Sequence, residues 1–305
     1  AVVNFRIHPA ASIDAVVESD LCLAIGTELG EPSHFGRWRH WVANEANRKW
    51  IYVQQDPTAI GVNRSYDVPL VGDIRGVVPQ LVRALGGEKR APSPNLAKYI
   101  AQDAQQMVDL YAESCTKSDG TAGVPIHTSR FITEATKAFP EGGIMGRDGG
   151  ASVIFGWTYN MCKPRDVIWN QNYGHIGTGL PYIIGAMVAD KAATGKARPG
   201  MLVTSDSSFM FHIGELETAV RRELPLVCVV GVDNQWGLEV GVYKRTFGNQ
   251  VPRPGVHWSD KVRFDKICEG FGGHGEYVTK AEDIRPAIER AYASGKLGVV
   301  HVVID

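Results

Sequence analysis

The sequence predicts an α/β protein built from two open parallel-sheet domains with flanking helices. Three observations carry this. Apolar runs of strand length alternate with stretches of helix length across most of the 305 residues. Gly86 to Asn95, GGEKRAPSPN, interrupts the alternation with Gly, Pro and charge and reads as a linker. Met201–Thr204 and Leu226–Val232 bracket one turn and one helical stretch (about Ile213 to Glu223) closed by Pro225, the layout of a βαβ unit. A chain of this length favours two domains, here 1–90 and 91–305.

The elements follow in order. Residues 20–85 read βαβα: Leu21–Ile25 and Trp50–Val53 are strands, Leu70-Val71-Gly72 ends a third before Asp73, and Arg75–Leu85 is a helix. Beyond the linker, Leu96–Cys115 and Ser129–Phe139 are helical. The strand-and-helix pattern resumes at Ile144-Met145 and closes on Val299–Ile304, a buried strand. No internal repeat or low-complexity tract is present.

Composition excludes several function classes. Hydrophobic residues make up 44% and charged residues 21%, ordinary for a soluble globular protein, and a net charge of −1 recommends neither nucleic acid nor an anionic membrane as partner. No apolar run approaches the ~20 residues of a membrane span, and no signal-peptide pattern is visible. Five cysteines are scattered without a CxxC. Cys22 and Cys228 fall inside apolar strand runs and read as buried free thiols, which suits a reducing cytoplasm.

The chemistry-bearing residues sit at strand ends. Ser205-Asp206-Ser207-Ser208 follows the first strand of the βαβ unit and Asp233-Asn234-Gln235 follows the second. Parallel strands joined by a crossover end on the same sheet edge, so Asp206 and Asp233 come close in space. Two carboxylates, an amide and small-residue backbone NH groups there describe a Mg2+-diphosphate site. Mg2+ takes oxygen ligands in near-octahedral geometry, and a diphosphate takes backbone NH groups and a helix start. Arg147-Asp148-Gly149-Gly150-Ala151-Ser152 follows another apolar run, and its small residues suit diphosphate oxygens. His175, His212, Trp236, Glu239 and Tyr243 are weaker candidates, as substrate-facing, capping or pocket-shaping residues. No Ser/His/Asp arrangement, zinc-ligand spacing or dinucleotide fingerprint is present.

SDSSFMFHIGELETAVRRELPLVCVVGVDNQWG resembles the GDG-x(about 25)-NN signature of thiamine diphosphate enzymes of the acetolactate synthase, benzaldehyde lyase and 2-oxoacid decarboxylase group. Tyr173-Gly174-His175-Ile176-Gly177-Thr178-Gly179-Leu180-Pro181, with Ile184-Gly185-Ala186, is similar to that family's GxMGxGLPxAIGA block. SDLCLAIGTELG, IYVQQDPTAIGVN and DVPLVGD resemble the C-terminal part of its central domain. Ser205 and Ser207 stand where the family usually has Gly. Asp233 stands where the second Asn is usual, in the ungapped register that also places Trp236-Gly237.

The resemblance implies a thiamine diphosphate-binding fold with thiamine diphosphate and Mg2+ as cofactors. Asp206, Asp233 and the Gln235 carbonyl would hold the metal, with Asn234 replacing Asp233 in a gapped register. Gly149, Gly150, Ala151, Ser152, Gly174, His175, Ile176, Ser205, Ser207, Ser208, Trp236 and Gly237 would touch the cofactor. Ile176 would prop its bend, and the Gly174 carbonyl would accept from its 4′-amino group. The reaction implied is cleavage or formation of a C–C bond beside a carbonyl of a 2-oxoacid or hydroxyketone-type substrate. The alternative is a non-catalytic cofactor-binding or regulatory subunit. Nothing among these residues matches the pyrimidine-binding domain or its glutamate, and Ala1 is not an initiator Met. The resemblance therefore implies a fragment, a processed product or one subunit of a split enzyme. The missing domain would be supplied by a second polypeptide or an N-terminal fragment, the pairs assembling as dimers or larger, with the apolar surface around Gly174–Pro181 as interface.

Overall fold

The computed structural model describes residues 10–87, 91, 93–170, 174–248 and 255–305, without the side chains of Glu31 and Pro32. Tyr173, Ala1 and parts of the linker stretch (88–90 and 92) lie outside the described residues. The chain divides into two compact units, 1–106 and 107–305.

The first unit holds α1 (Ala10–Glu18), β1 (Leu21–Ile25), α2 (Arg39–Val42), β2 (Lys49–Gln54), β3 (Val68–Val71) and α3 (Ile74–Ala84). Its strands form a parallel sheet in the order β1-β2-β3. One face packs Ala24, Trp50 and Tyr52 with Leu29 into a small core. Arg48 is buried beside it and donates to the carbonyls of Val16, Trp41 and Ala43, satisfying the open ends of α1 and α2. The opposite face of β1 leaves Leu21, Leu23 and Ile25 exposed. Cys22 lies on this edge strand and is half-buried, not buried as its apolar run predicts, because β1 has no strand beyond it among the described residues.

Helix α4 (Leu96–Cys115) contains the division. The second unit continues with α5 (Thr128–Lys137), β4 (Ile144–Arg147), α6 (Ala151–Tyr159), β5 (Asp166–Ile168), α7 (Gly179–Thr194), β6 (Gly200–Ser205), α8 (Asp206–Met210), α9 (Glu215–Arg221), β7 (Leu226–Val232), α10 (Gly237–Phe247), α11 (Phe264–Gly270), β8 (His274–Val278), α12 (Ile284–Ala293) and β9 (Gly298–Val303). Six parallel strands lie in the order β5-β4-β6-β7-β9-β8. Strand β7 is enclosed on both faces. Leu226, Cys228 and Val230 join the core under α7, α9 and α11, while Val227 and Val229 join the core under α5 and α12. This is the two-face burial expected of a parallel sheet covered by crossover helices.

Strand order places the site. The chain runs from β4 out to β5 and returns to β6 on the other side of β4. That reversal opens a crevice at the carboxyl ends of β4 and β6.

Two local expectations need correction. The tight turn after Thr204 is a short helix, α8, starting at Asp206, and the predicted helix over 213–223 is the shorter α9. The cause is local: Asp206 folds back to accept the Ser207 amide at 2.7 Å, so helical backbone begins at once. Strands β5 and β8 carry no clear apolar run because each is a sheet edge, partly open to water. All five cysteines are free. Cys228 and Cys268 are buried and Cys115 is exposed.

Candidate functional site

Asp206 caps β6 and Asp233 follows β7, which pairs with β6 in parallel register up to Ser205↔Gly231. The matched ends bring the two carboxyl groups together. Asp206 is 0% exposed. Its Oδ1 accepts from Ser207 N, and its Oδ2 accepts from Asn234 N at 2.9 Å, tying the two strand ends directly. Burial and the neighbouring Asp233 carboxylate push Asp206 up to about 7. Burial likewise raises Asp233, whose Oδ1 accepts from Gln235 N at 3.3 Å. A Cβ on Gly237 would collide with Asp233 Oδ2, so only glycine leaves that carboxylate its place.

Two neighbouring carboxylates, one of them fully buried, call for a proton or a cation. The remaining donors there are oxygens. Asn234, at φ +56°, carries a buried Oδ1 with no protein partner. The strand-like contact of this loop uses Trp236 N to Val256 O (2.8 Å) and Trp258 N to Asn234 O (3.1 Å), and neither bond takes the Gln235 carbonyl. Carboxylate, amide and carbonyl oxygens without nitrogen or sulfur form the donor set of a hard cation. No group of three or more His, Cys, Asp or Glu side chains is gathered for a metal among the described residues, so the rest of a coordination shell would come from neutral oxygens and the ligand.

The segment after β4 lies against the same edge. Ser152 Oγ and Ser205 Oγ share a hydrogen bond at 2.8 Å. A Cβ on Gly149 would lie 2.8 Å from Ser205 Oγ, and one on Gly150 would lie 3.3 Å from Leu238 in α10. Helix α6 starts here with Gly150 at its N-cap and no side-chain cap, leaving its first amides to an outside acceptor. Ser208 Oγ is buried without a protein partner. The Ser207 amide, a candidate phosphate donor by sequence, is engaged by Asp206.

The structure thus brings together Gly149, Gly150, Ala151, Ser152, Ser205, Asp206, Ser207, Ser208, Asp233, Asn234, Gln235, Trp236 and Gly237 through these contacts and their chain neighbours. Gly174 and His175 are exposed and Ile176 is half-buried, on a loop that meets Asp148 beside this cluster through Gly177 and Gly179. Gly174 has φ +62° and open space where a Cβ would stand. His212 does not open a helix. It sits between α8 and α9 and bonds through Nδ1 to the Gly177 carbonyl at 2.7 Å. Trp236 packs edge-on against Phe211 at 6.0 Å and Trp258 at 5.9 Å between ring centres, making an aromatic wall beside the metal loop. Glu239 is exposed, while Tyr243 is half-buried and tilts against Phe247 in α10.

Three contributors escape sequence reasoning: Asp148 as a buried acceptor, and Phe211 and Trp258 in the aromatic wall. Asp148 lies in the segment 147–152 singled out above, but its partners Gly177 and Gly179 are distant in the chain, as are the ring partners of Phe211 and Trp258.

Residues 148–302 match the family described as thiamine pyrophosphate enzyme, C-terminal TPP binding domain, and residues 4–81 match thiamine pyrophosphate enzyme, central domain. The chain is 27% identical to a sulfoacetaldehyde acetyltransferase of Castellaniella defragrans, covering 92% of this chain and 48% of that protein. It is 30% identical to an acetolactate synthase large subunit of Mycobacterium tuberculosis (95% and 50%) and 25% identical to an oxalyl-CoA decarboxylase of Escherichia coli (98% and 51%). It therefore spans about half the length of the curated relatives it matches.

Proposed function

The chain belongs to the thiamine pyrophosphate enzymes, and from that premise we propose that it is the diphosphate-binding portion of a thiamine diphosphate- and Mg2+-dependent enzyme that cleaves or forms a C–C bond beside a carbonyl. The observation that carries the reading is the pairing of the buried Asp206 with the half-buried Asp233 at the ends of adjacent parallel strands, next to Ser205, which bonds Ser152 at the uncapped start of α6. Asp206, Asp233 and the Gln235 carbonyl hold Mg2+, with the unpartnered Asn234 Oδ1 as the alternative ligand. The amides of Gly150–Ser152 and the Ser208 hydroxyl take diphosphate oxygens. Ile176 supports the bend of the cofactor and Gly174 offers its carbonyl, in a loop whose glycine leaves the ligand room. When bound, thiamine diphosphate supplies the nucleophilic carbon and the electron sink. The chain's own contribution is to anchor one end, neutralise its charge and hold the reactive end in place.

The substrate class is a 2-oxoacid, a hydroxyketone or a 2-hydroxyacyl thioester, as the family resemblance implies, with an oxalyl thioester added by the name of one relative. A pyrimidine-binding domain, carried by a second polypeptide or by an N-terminal fragment, completes the site. The exposed Phe211 and Tyr182 flanking the loop at Gly174–Pro181 support this. Five free cysteines accord with a cytoplasmic setting, and among the described residues no helix is long and apolar enough to cross a membrane.

Calorimetric titration of the chain with thiamine diphosphate, with and without Mg2+, tests the reading. Binding that requires Mg2+ and vanishes in Asp206→Ala is expected. Equal affinity with and without Mg2+ would refute the metal assignment.

A further inference from the structure

Resting on that cofactor reading, we propose that Asp148 and His212 are positioning residues. Together they clamp the Gly177 peptide from opposite sides and set the distance between the diphosphate-anchoring segment and the loop that carries Gly174 and Ile176.

Asp148 ends β4 at the crevice and is 5% exposed. It forms no ion pair among the described residues; its partners are backbone amides. Oδ1 accepts from Gly149 N at 2.7 Å and from Gly177 N at 3.1 Å, and Oδ2 accepts from Gly179 N at 2.6 Å. One carboxylate oxygen therefore carries an amide from the segment that leads into α6 and an amide from the bend loop.

The same carboxylate caps α7. Thr178, at the N-cap position, makes no side-chain cap, and Asp148 takes the first helical amide instead. A negative charge at the start of a 16-residue helix is favourably placed. This position is thereby occupied by protein.

The fit around the clamp admits no side chains. A Cβ on Gly179 would collide with Asp148 Cβ. Gly177, at φ +91°, would place a Cβ 2.6 Å from Phe211 Cβ. On its other side the Gly177 carbonyl accepts from His212 Nδ1 at 2.7 Å, which fixes the tautomer, since a carbonyl only accepts. Both hydrogen-bonding groups of one peptide residue are thus held from two elements, the end of β4 and the α8–α9 turn. Ile176 is the adjacent residue. Reaction rates depend steeply on such spacing, because a small displacement of the reacting geometry costs far more in turnover than in binding.

The test uses the full chain. Hydrogen exchange is followed in the peptide covering residues 174–181, with residues 200–205 of β6 as control, and thiamine diphosphate affinity is measured by calorimetry with Mg2+. Asp148→Asn keeps the shape but turns an NH2 toward a backbone NH. His212→Ala removes the donor, while His212→Asn keeps an N–H at similar reach. We expect exchange in 174–181 to rise roughly tenfold or more in Asp148→Asn and His212→Ala, to return near wild type in His212→Asn, and to stay unchanged in 200–205. Cofactor affinity should fall by less than about threefold, with the larger loss in kcat when the partner polypeptide is present. Unchanged exchange at 174–181, or a rise of equal size at 200–205, overturns the clamp. If Asp148→Asn does not fold, the contrast between His212→Ala and His212→Asn decides alone, and equal exchange in those two overturns it. A wild-type chain that binds no thiamine diphosphate refutes the cofactor reading, while the exchange result still decides the clamp.

Discussion

Asp233 lies beside the buried Asp206 carboxylate, and its own burial adds to its cost in the metal-free chain. Asp233→Asn keeps an oxygen for a metal and removes the repulsion with Asp206. The substitution should raise the stability of the metal-free chain at pH 8 by about 1 kcal/mol, read from urea unfolding, and weaken Mg2+-dependent thiamine diphosphate binding without abolishing it. Comparing Asp233→Ala with Asn234→Ala decides the register. Greater damage from Asn234→Ala means that the gapped alignment, not the ungapped one, names the ligand. A different residue-scale outcome is expected at Gly179. Gly179→Ala forces a Cβ into Asp148, so it should cost about 2 kcal/mol or more in thermal or urea unfolding. An unchanged unfolding midpoint would mean that the α7 start shifts freely.

At the scale of elements, β9 carries a pH dependence that the site does not share. His301 is 3% exposed between Phe264 and Tyr277, and burial pushes it down to about 4. Asp265, 3.9 Å away, does not offset this, because that carboxylate is paired with Arg263 at 2.6 Å. The Phe264 amide donates to His301 Nδ1 at 3.3 Å, which also requires the neutral ring. An unfolded His titrates near 6.5, so the unfolded chain takes up a proton first on acidification. This group's contribution is therefore complete above about 6.5 and lost as pH falls toward 4, by roughly 3 kcal/mol. Urea unfolding at pH 7 and pH 4.5 should show a smaller drop in His301→Asn than in wild type. Equal drops would place the acid sensitivity elsewhere. The elements also show what sequence patterns convey. Strands β1, β2, β6, β7 and β9 were legible as apolar runs because each is packed on at least one face. Helix α8 was not, because its start depends on a hydrogen bond from Ser207 N to Asp206, and the edge strands β5 and β8 lack the apolar signature that burial imposes.

For the whole molecule, the proposed partner makes a concrete prediction. The chain purified alone should bind thiamine diphosphate in the presence of Mg2+ yet turn over 2-oxoacids far more slowly than a mixture with a pyrimidine-domain polypeptide. Activity across a 2-oxoacid and acyl-thioester panel, with mass spectrometry of the preparation, checks this. Full turnover from a homogeneous preparation of this chain would sink the requirement for a partner. Binding without turnover in both preparations would favour a cofactor-binding or regulatory subunit.

The order of the sequence alone was enough to place Asp206 and Asp233 on the same sheet edge, because a crossover between parallel strands leaves both carboxyl ends on that edge; that β6 and β7 are also neighbours is a matter of strand order. It also sufficed for the fold class and for the family resemblance, since strand runs, turn residues and motif spacing are local properties of the chain. Tertiary structure decided the rest. The strand order β5-β4-β6 determines where the crevice opens, and pairing between distant strands is not written in any local pattern. The Ser207 amide looks free in the sequence and is consumed by Asp206, while Asp148 looks like a turn residue and holds amides 29 and 31 positions away. Hydrogen-bond partners of buried polar groups are chosen by three-dimensional proximity, because each group must be satisfied by whatever the fold brings within reach.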